Sequence, residues 1–264
     1  MRALGKTGQI IFSGLLLFFF VLGNLNAQDV DKIEPVKNEW TFLVEPYLLF
    51  PMMKGNVGIG ILPDATVDAS TSDIFSNLKM GFMLNAEASN GTWTIGSDFL
   101  YMRLGQDVES SVLIENGEVK AKQLGWEIFG LYRVLPWLEL GLGGMVSSVQ
   151  AEVIIDRKVI GGGTITLDVS KTETWFDPML IARIKSSEVH QFIYLFKGEI
   201  GGFGIGSDLA WQIQAYGGYR FSQLFEMTAG YRIISLDYEK GSRQGRFMYD
   251  VDTSGPVIRF GFNF

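Results

Sequence analysis

Ten stretches of this chain put an apolar residue at every second position, and that rhythm limits the possible folds more than any other feature. In 40–50 (WTFLVEPYLLF), Trp40, Phe42, Val44, Leu48 and Phe50 alternate with Thr41, Glu45 and Tyr47. In 78–88, Met80, Phe82, Leu84 and Ala86 stand opposite Lys79, Asn85 and Glu87; in 92–104, Trp93, Ile95, Phe99 and Tyr101 stand opposite Thr94, Gly96 and Asp98. The pattern recurs over 122–134, 138–150, 175–185, 191–203, 209–221, 225–238 and 247–264. Strand side chains alternate between the faces of a sheet, so each stretch reads as a strand with one greasy and one polar face. The chain closes on PVIRFGFNF, whose Ile258, Phe260, Phe262 and Phe264 would be a liability at a frayed end in water.

Two architectures use such strands. A soluble sandwich turns its apolar faces inward and keeps charge outside; a membrane barrel puts them against lipid around a polar lumen. The apolar faces carry almost no charge and the strands run to about 11 residues, the length that crosses a bilayer at a tilt. Connections also alternate. Tight turns at 89–91, 135–137, 186–190 and 222–224 oppose longer links at 51–77, 105–121, 151–174, 204–208 and 239–246. Short periplasmic turns and long outer loops are the asymmetry of an outer-membrane barrel. Trp40, Trp93, Trp137, Phe192, Phe225 and Phe264 fall near the expected periplasmic edge, where aromatic rings favour the interface.

The start of the chain agrees with export. Arg2 and Lys6 precede an apolar run from Ile10 to Leu22, and small or polar residues follow to Ala27, which is the layout of a secretory signal peptide. The run is short for a membrane anchor. Residues 1–27 are therefore expected to be a signal peptide, 28–39 a polar periplasmic lead-in, and 40–264 the barrel. The chain has no cysteine, which excludes disulfides and thiolate metal sites and counts against a lipidated anchor. Loss of Arg2 and Lys6 moves the net charge from −7 to −9, and an acidic chain without a basic run is a poor nucleic-acid binder.

Parity places Glu45, Glu87, Asp98, Glu127, Glu139, Asp177, Glu199 and Glu226 on inward faces, with Lys79, Arg133, Arg183, Lys197, Arg220, Arg232 and Arg259. A ten-strand barrel is little wider than the eight-strand size that side chains fill, so a lumen bridged by paired charges is expected, with a solute or ion path as the alternative. No catalytic, cofactor or metal site is expected. His190, the single histidine, sits in a short turn away from the outer rim where a hydrolase would need it. The pairs Asp64/Asp68 and Asp250/Asp252 read as solvated loop charges, and the glycine runs at 161–166 and 201–206 open no helix. In 64–78, Ser72 or Asp73 is a candidate helix cap, and Ile74, Phe75 and Leu78 can share one face of a short helix, a candidate lid over the outer mouth.

The stretches VDASTSDIFSNLKMGFMLNAEASNGTWTIGSDFLY (67–101), WFDP (175–178), GGFGIGSDLAWQ (201–212), GYR (218–220 and 230–232), DY (237–238) and GPVIRFGFNF (255–264) resemble a family of bacterial outer-membrane β-barrel proteins of unassigned activity. The resemblance covers most of the exported part and is weaker over 105–174. It implies fold and location, not chemistry. In that family the D-I-x-x-N-L segment lies between the first two barrel strands and the glycine-rich motif joins two strands. Terminal Phe264 is similar to the signal by which barrels are recognised for insertion. The expectation is thus an all-β, transmembrane, antiparallel up-and-down barrel of about ten strands, with eight or twelve as alternatives. It would be non-enzymatic, with a structural or partner-binding role at the cell surface; the alternative is a narrow channel or carrier for small solutes or lipids. Its expected partners are outer-membrane lipid and lipopolysaccharide, the barrel-assembly machinery, and a protein reached through the outer loops.

Overall fold

A computed structural model describes residues 39–61, 63–108, 114–158, 164–186 and 191–264. The expected signal peptide, almost all of the lead-in, His190 and Gly161–Gly163 lie outside the described residues.

The strands are β1 (Thr41–Leu49), β2 (Met52–Ile59), β3 (Ala65–Ala69), β4 (Leu78–Ser89), β5 (Trp93–Val108), β6 (Ile114–Leu135), β7 (Leu138–Lys158), β8 (Thr164–Lys185), β9 (Phe192–Gly202), β10 (Leu209–Arg220), β11 (Phe225–Lys240) and β12 (Phe247–Asn263). One short helix, α1 (Thr71–Asn77), separates β3 from β4. β1 and β4 through β12 pair antiparallel in order, and β12 returns to β1, so ten strands close a barrel.

The closing strand has two partners along one edge. β12 pairs with β1 from Leu43↔Asn263 to Leu49↔Val257. In the same register it pairs with β2 from Met52↔Ser254 to Ile59↔Phe247. β1 and β2 are therefore one strand interrupted at Phe50-Pro51, and β3 folds back on β2 as a hairpin. The alternating pattern predicts a loop over 51–77, whereas the structure has two strands and a helix there. Lys54, Gly55 and Asn56 break the alternation, and β2 is a strand because β12 supplies a partner, which local pattern cannot reveal.

Three other strands also outrun expectation. β6, β7 and β8 span 22, 21 and 22 residues, extending into what was read as loops at 105–121 and 151–174. β9 has 11 residues, so β6, β7 and β8 run roughly 30 Å further along the strand direction, at about 3.3 Å per residue, and end on the loop side in the hairpins β5–β6 and β7–β8.

The wall's outer face is apolar, with Phe42, Ile95, Ile128, Leu142, Leu180, Phe196 and Ile213 exposed. At the short-turn end, rings run in contact from Phe192 through Tyr219, Phe221 and Phe225 to Phe262, at centroid spacings of 5.3 to 5.7 Å. Backbone bonds join Phe42 and Phe264 in both directions, at 3.0 and 2.8 Å, so the terminal residue is part of the wall. In the loop half the lumen is packed with apolar groups, including Trp175, Leu236, Tyr238, Phe247, Tyr249 and Val251. Trp175 and Tyr238 stack at 4.1 Å.

Candidate functional site

Below that apolar fill, inward side chains of the strands meet in two charged layers. In the first, Arg232 on β11 reaches across the lumen. Its Nη1 donates to Asp98 Oδ1 on β5 at 3.0 Å and to the Tyr47 hydroxyl at 2.9 Å, and its Nη2 donates to Gln212 Oε1 at 2.9 Å. Tyr47 donates to the same Asp98 oxygen at 2.8 Å. Arg259 donates to Glu45 Oε2 at 3.2 Å, Gln214 Oε1 at 3.0 Å and the Tyr216 hydroxyl at 3.1 Å. Lys197 donates to Glu127 at 3.1 Å and bridges Glu199 at 2.5 Å, with its ammonium 3.9 Å from the Phe129 ring centre. Gln212 donates through Nε2 to both Glu127 and Glu199, at 2.9 and 2.5 Å. Each of these charged groups is buried. Burial of a charge is tolerated when it is paired and hydrogen-bonded, and here each carboxylate has a cation or an amide donor.

The second layer lies toward the short turns. Arg183 on β8, 1% exposed, spans the lumen to both oxygens of Glu87 on β4 at 2.7 and 2.8 Å, and its Nε donates to Glu139 at 2.7 Å. Arg133 and Lys185 reach the other Glu139 oxygen at 3.2 and 3.4 Å. Arg220 and Asn263 donate to Glu226 at 2.8 and 3.0 Å. Beyond it a cavity of about 540 Å³ opens at this end, lined by Leu43, Leu224 and Phe264 together with Arg183, Tyr216 and Arg259. A separate pocket of about 30 Å³ lies beside Asp98 and Arg232 on the loop side.

Two expected members are elsewhere. Lys79 is exposed at the start of β4, and no ion pair of Lys79 occurs among the described residues. A register shift in the β4–β5 ladder between Leu78 and Met80 takes Lys79 out of the lumen alternation. Asp177 is fully buried but holds a loop: it accepts from the Ser207 amide at 2.6 Å, the Ser207 hydroxyl at 2.9 Å and Trp175 Nε1 at 3.1 Å. The stretches WFDP and GGFGIGSD thus interlock. Their turn passes through positive φ at Gly202, Phe203 and Gly204, with Phe203 at 51°, and exposes Phe203 and Ile205. Tyr47, Lys185, Gln212, Gln214 and Tyr216 belong to the layers but were not among the expected residues, although period two in LAWQIQAY marks the last three.

The helix cap lies two residues before Ser72 and three before Asp73, the two expected caps. Ser70 is the cap: its hydroxyl accepts from the Asp73 amide at 3.3 Å and its own amide donates to the Asp73 carboxylate at 3.0 Å. The Ser70 hydroxyl, then its amide, holds the Asp73 carboxyl below the usual carboxylate range. Ile74 is buried, Phe75 stacks on Phe50 at 5.4 Å, and Leu78 packs beside Tyr47, Leu49, Leu100 and Met102. Of the loop carboxylates, Asp64 accepts from Arg246 at 2.6 Å, which depresses its pKa, and Asp68 faces Lys54 at 3.8 Å.

An antiparallel wall with an even strand number, closed on itself, lipid-like outside, ringed by aromatics and charged within, is an outer-membrane β-barrel. No protein-family model and no curated protein matches the chain. Among solved structures it is similar to the outer membrane protease OmpT of Escherichia coli (8% identity over 88% of this chain and 99% of that one, TM-score 0.44). It is also similar to the Pseudomonas putida toluene transporter TodX (9%, 88% and 91%, 0.40). A third is Ail, the attachment invasion locus protein of Yersinia pestis (14%, 85% and 98%, 0.35). Likenesses this distant carry nothing about activity.

Proposed function

We propose that the protein is a non-enzymatic outer-membrane barrel with a closed lumen, working at the cell surface in a structural or partner-binding role. The observation that carries this reading is the pair of guanidiniums crossing the lumen, Arg232 to Asp98 and Arg183 to Glu87, beneath a packed apolar half. A solute would have to break both layers and displace that packing. The loop-side hairpins β5–β6 and β7–β8 offer the protein partner its surface. The test is purified barrel in planar bilayers, where no steady conductance is expected. Reproducible conductance steps from the barrel with Arg232 in place would overturn the closed lumen and favour the narrow channel.

A further inference from the structure

The wall is incomplete at one place. β1 and β4 pair only from Thr41↔Ser89 to Pro46↔Leu84. Above Pro46, Tyr47–Phe50 and Leu78–Met83 face each other without a ladder, although β1 continues against β12 and β4 against β5. The Leu49 amide, which points toward β4, donates to the Met83 thioether at 3.4 Å, a weak acceptor standing in for a carbonyl. Pro46 and Pro51 carry no N–H, so this edge of β1 presents few donors. Four unpaired residues make a slot about 13 Å long. α1 bridges it: Thr71 donates to the Phe50 carbonyl at 3.4 Å, Phe75 stacks on Phe50, and the helix runs directly into β4.

Both sides of the slot are apolar. Leu48, Met80 and Phe82 are exposed on its outer banks, in line with the lipid-facing belt. Behind it lie Leu49, Met83, Leu100 and Met102. Methionine is the core residue that most readily makes room, and Met53 and Met145 extend the soft lining further in. The exposed Lys79 stands at the loop-side end of the slot. A gap toward water would have polar banks; this one has the bilayer outside, hydrocarbon-like packing inside and a cation at the rim.

We infer that the β1–β4 slot is a lateral port, bolted by Phe75 of α1, which admits one acyl chain of an anionic lipid from the outer leaflet into the apolar half of the lumen. Lys79 meets the lipid's phosphate or carboxylate, and the charge layers are the floor that stops the chain, the one point at which this rests on the closed-lumen reading.

The test uses the full barrel in vesicles containing either a diazirine fatty acid or an anionic diazirine phospholipid, with adducts mapped by mass spectrometry after illumination. Inward adducts at Leu49, Met83 and Met102 are expected alongside those on the belt. Phe75→Ala should raise the inward-to-belt ratio at least threefold, and Lys79→Ala should lower it threefold. The chain has no cysteine, so Leu48→Cys with Phe82→Cys permits a bismaleimide staple across the slot, which should cut the ratio about tenfold. Heat-modifiable migration confirms folding of each variant. If the staple or Phe75→Ala does not fold, the wild type and Lys79→Ala decide: inward adducts absent, or no more frequent at Met83 and Met102 than at Met179 on the far wall, overturn the port. Adducts that persist through the staple mean entry from the mouth and overturn it equally. The fatty-acid and phospholipid arms identify the headgroup source. Conductance on the same vesicles tests the floor separately: steps with staple-sensitive adducts would sink the closed lumen and leave the port standing.

Discussion

Removing Arg232 is the sharpest probe of the lumen. Arg232→Gln deletes its donations to Asp98, Tyr47 and Gln212 in one change, and both Arg232 and Asp98 are 4% exposed, so water cannot replace them. Breaking a buried pair by losing one partner costs about 3–5 kcal/mol. Arg259 Nη2, 3.7 Å from the other Asp98 oxygen, still compensates part of that charge, which puts the expected loss near the lower end, about 3 kcal/mol. Asp98→Asn should cost a comparable amount, because it leaves Arg232 buried with only neutral acceptors. The double variant loses the pair without stranding either charge. It should be more stable than the sum of the single losses predicts, by about 1–3 kcal/mol. The assay is reversible urea unfolding of barrel refolded into lipid, followed by fluorescence and by gel migration, with equal slopes for all four proteins. Losses that add to within about 0.5 kcal/mol would refute the idea that these residues form one unit.

Leu142→Arg puts a cation on the lipid face and should destabilise the inserted barrel by about 2–4 kcal/mol, seen as a smaller folded band in unheated samples. Gly201→Ala should loosen the β8–β9 wall by about 1–3 kcal/mol in the same unfolding assay, because its Cβ would sit 2.1 Å from the Pro178 carbonyl. Gly217→Ala, with nothing within 4 Å, should change little. The α1 cap predicts a pH dependence. The Asp73 pKa is depressed, so its contribution is whole above the ordinary carboxyl range near pH 4 and fades as pH falls through the lower folded value. The protection factor of the Ile74 amide, bonded to the Ser70 carbonyl at 3.1 Å, should drop there in the wild type and stay flat in Asp73→Asn. A flat wild-type profile counts against the capping box as the helix's support.

Alternation alone made the ten-strand wall readable, because lipid on one side and a closed lumen on the other enforce period two. Where either environment ends, so does the signal. The upper parts of β6–β8 rise beyond the belt, and β2 is ordered by β12 instead of by its own residues. Parity also placed most charged residues of the two layers on inward faces, but not which acid meets which base: Arg232 and Asp98 are four strands apart, and their heights depend on register. Lys79 and Asp177 show the same limit. One sits where the β4–β5 ladder shifts register, the other serves a turn thirty residues downstream that no local reading connects to it.

The two-partner edge of β12 has a consequence for biogenesis. Residue 264 must find residue 42, the most distant backbone pairing among the described residues, and entropy makes such closures slow. Until β12 arrives, the edges of β11, β1 and β2 that face it are bare, and bare strand edges are not tolerated in hydrocarbon. Partial insertion therefore has no stable resting point. A chain shortened by its last few residues should lose membrane residence altogether instead of forming a smaller barrel, since a single strand satisfies both edges at once.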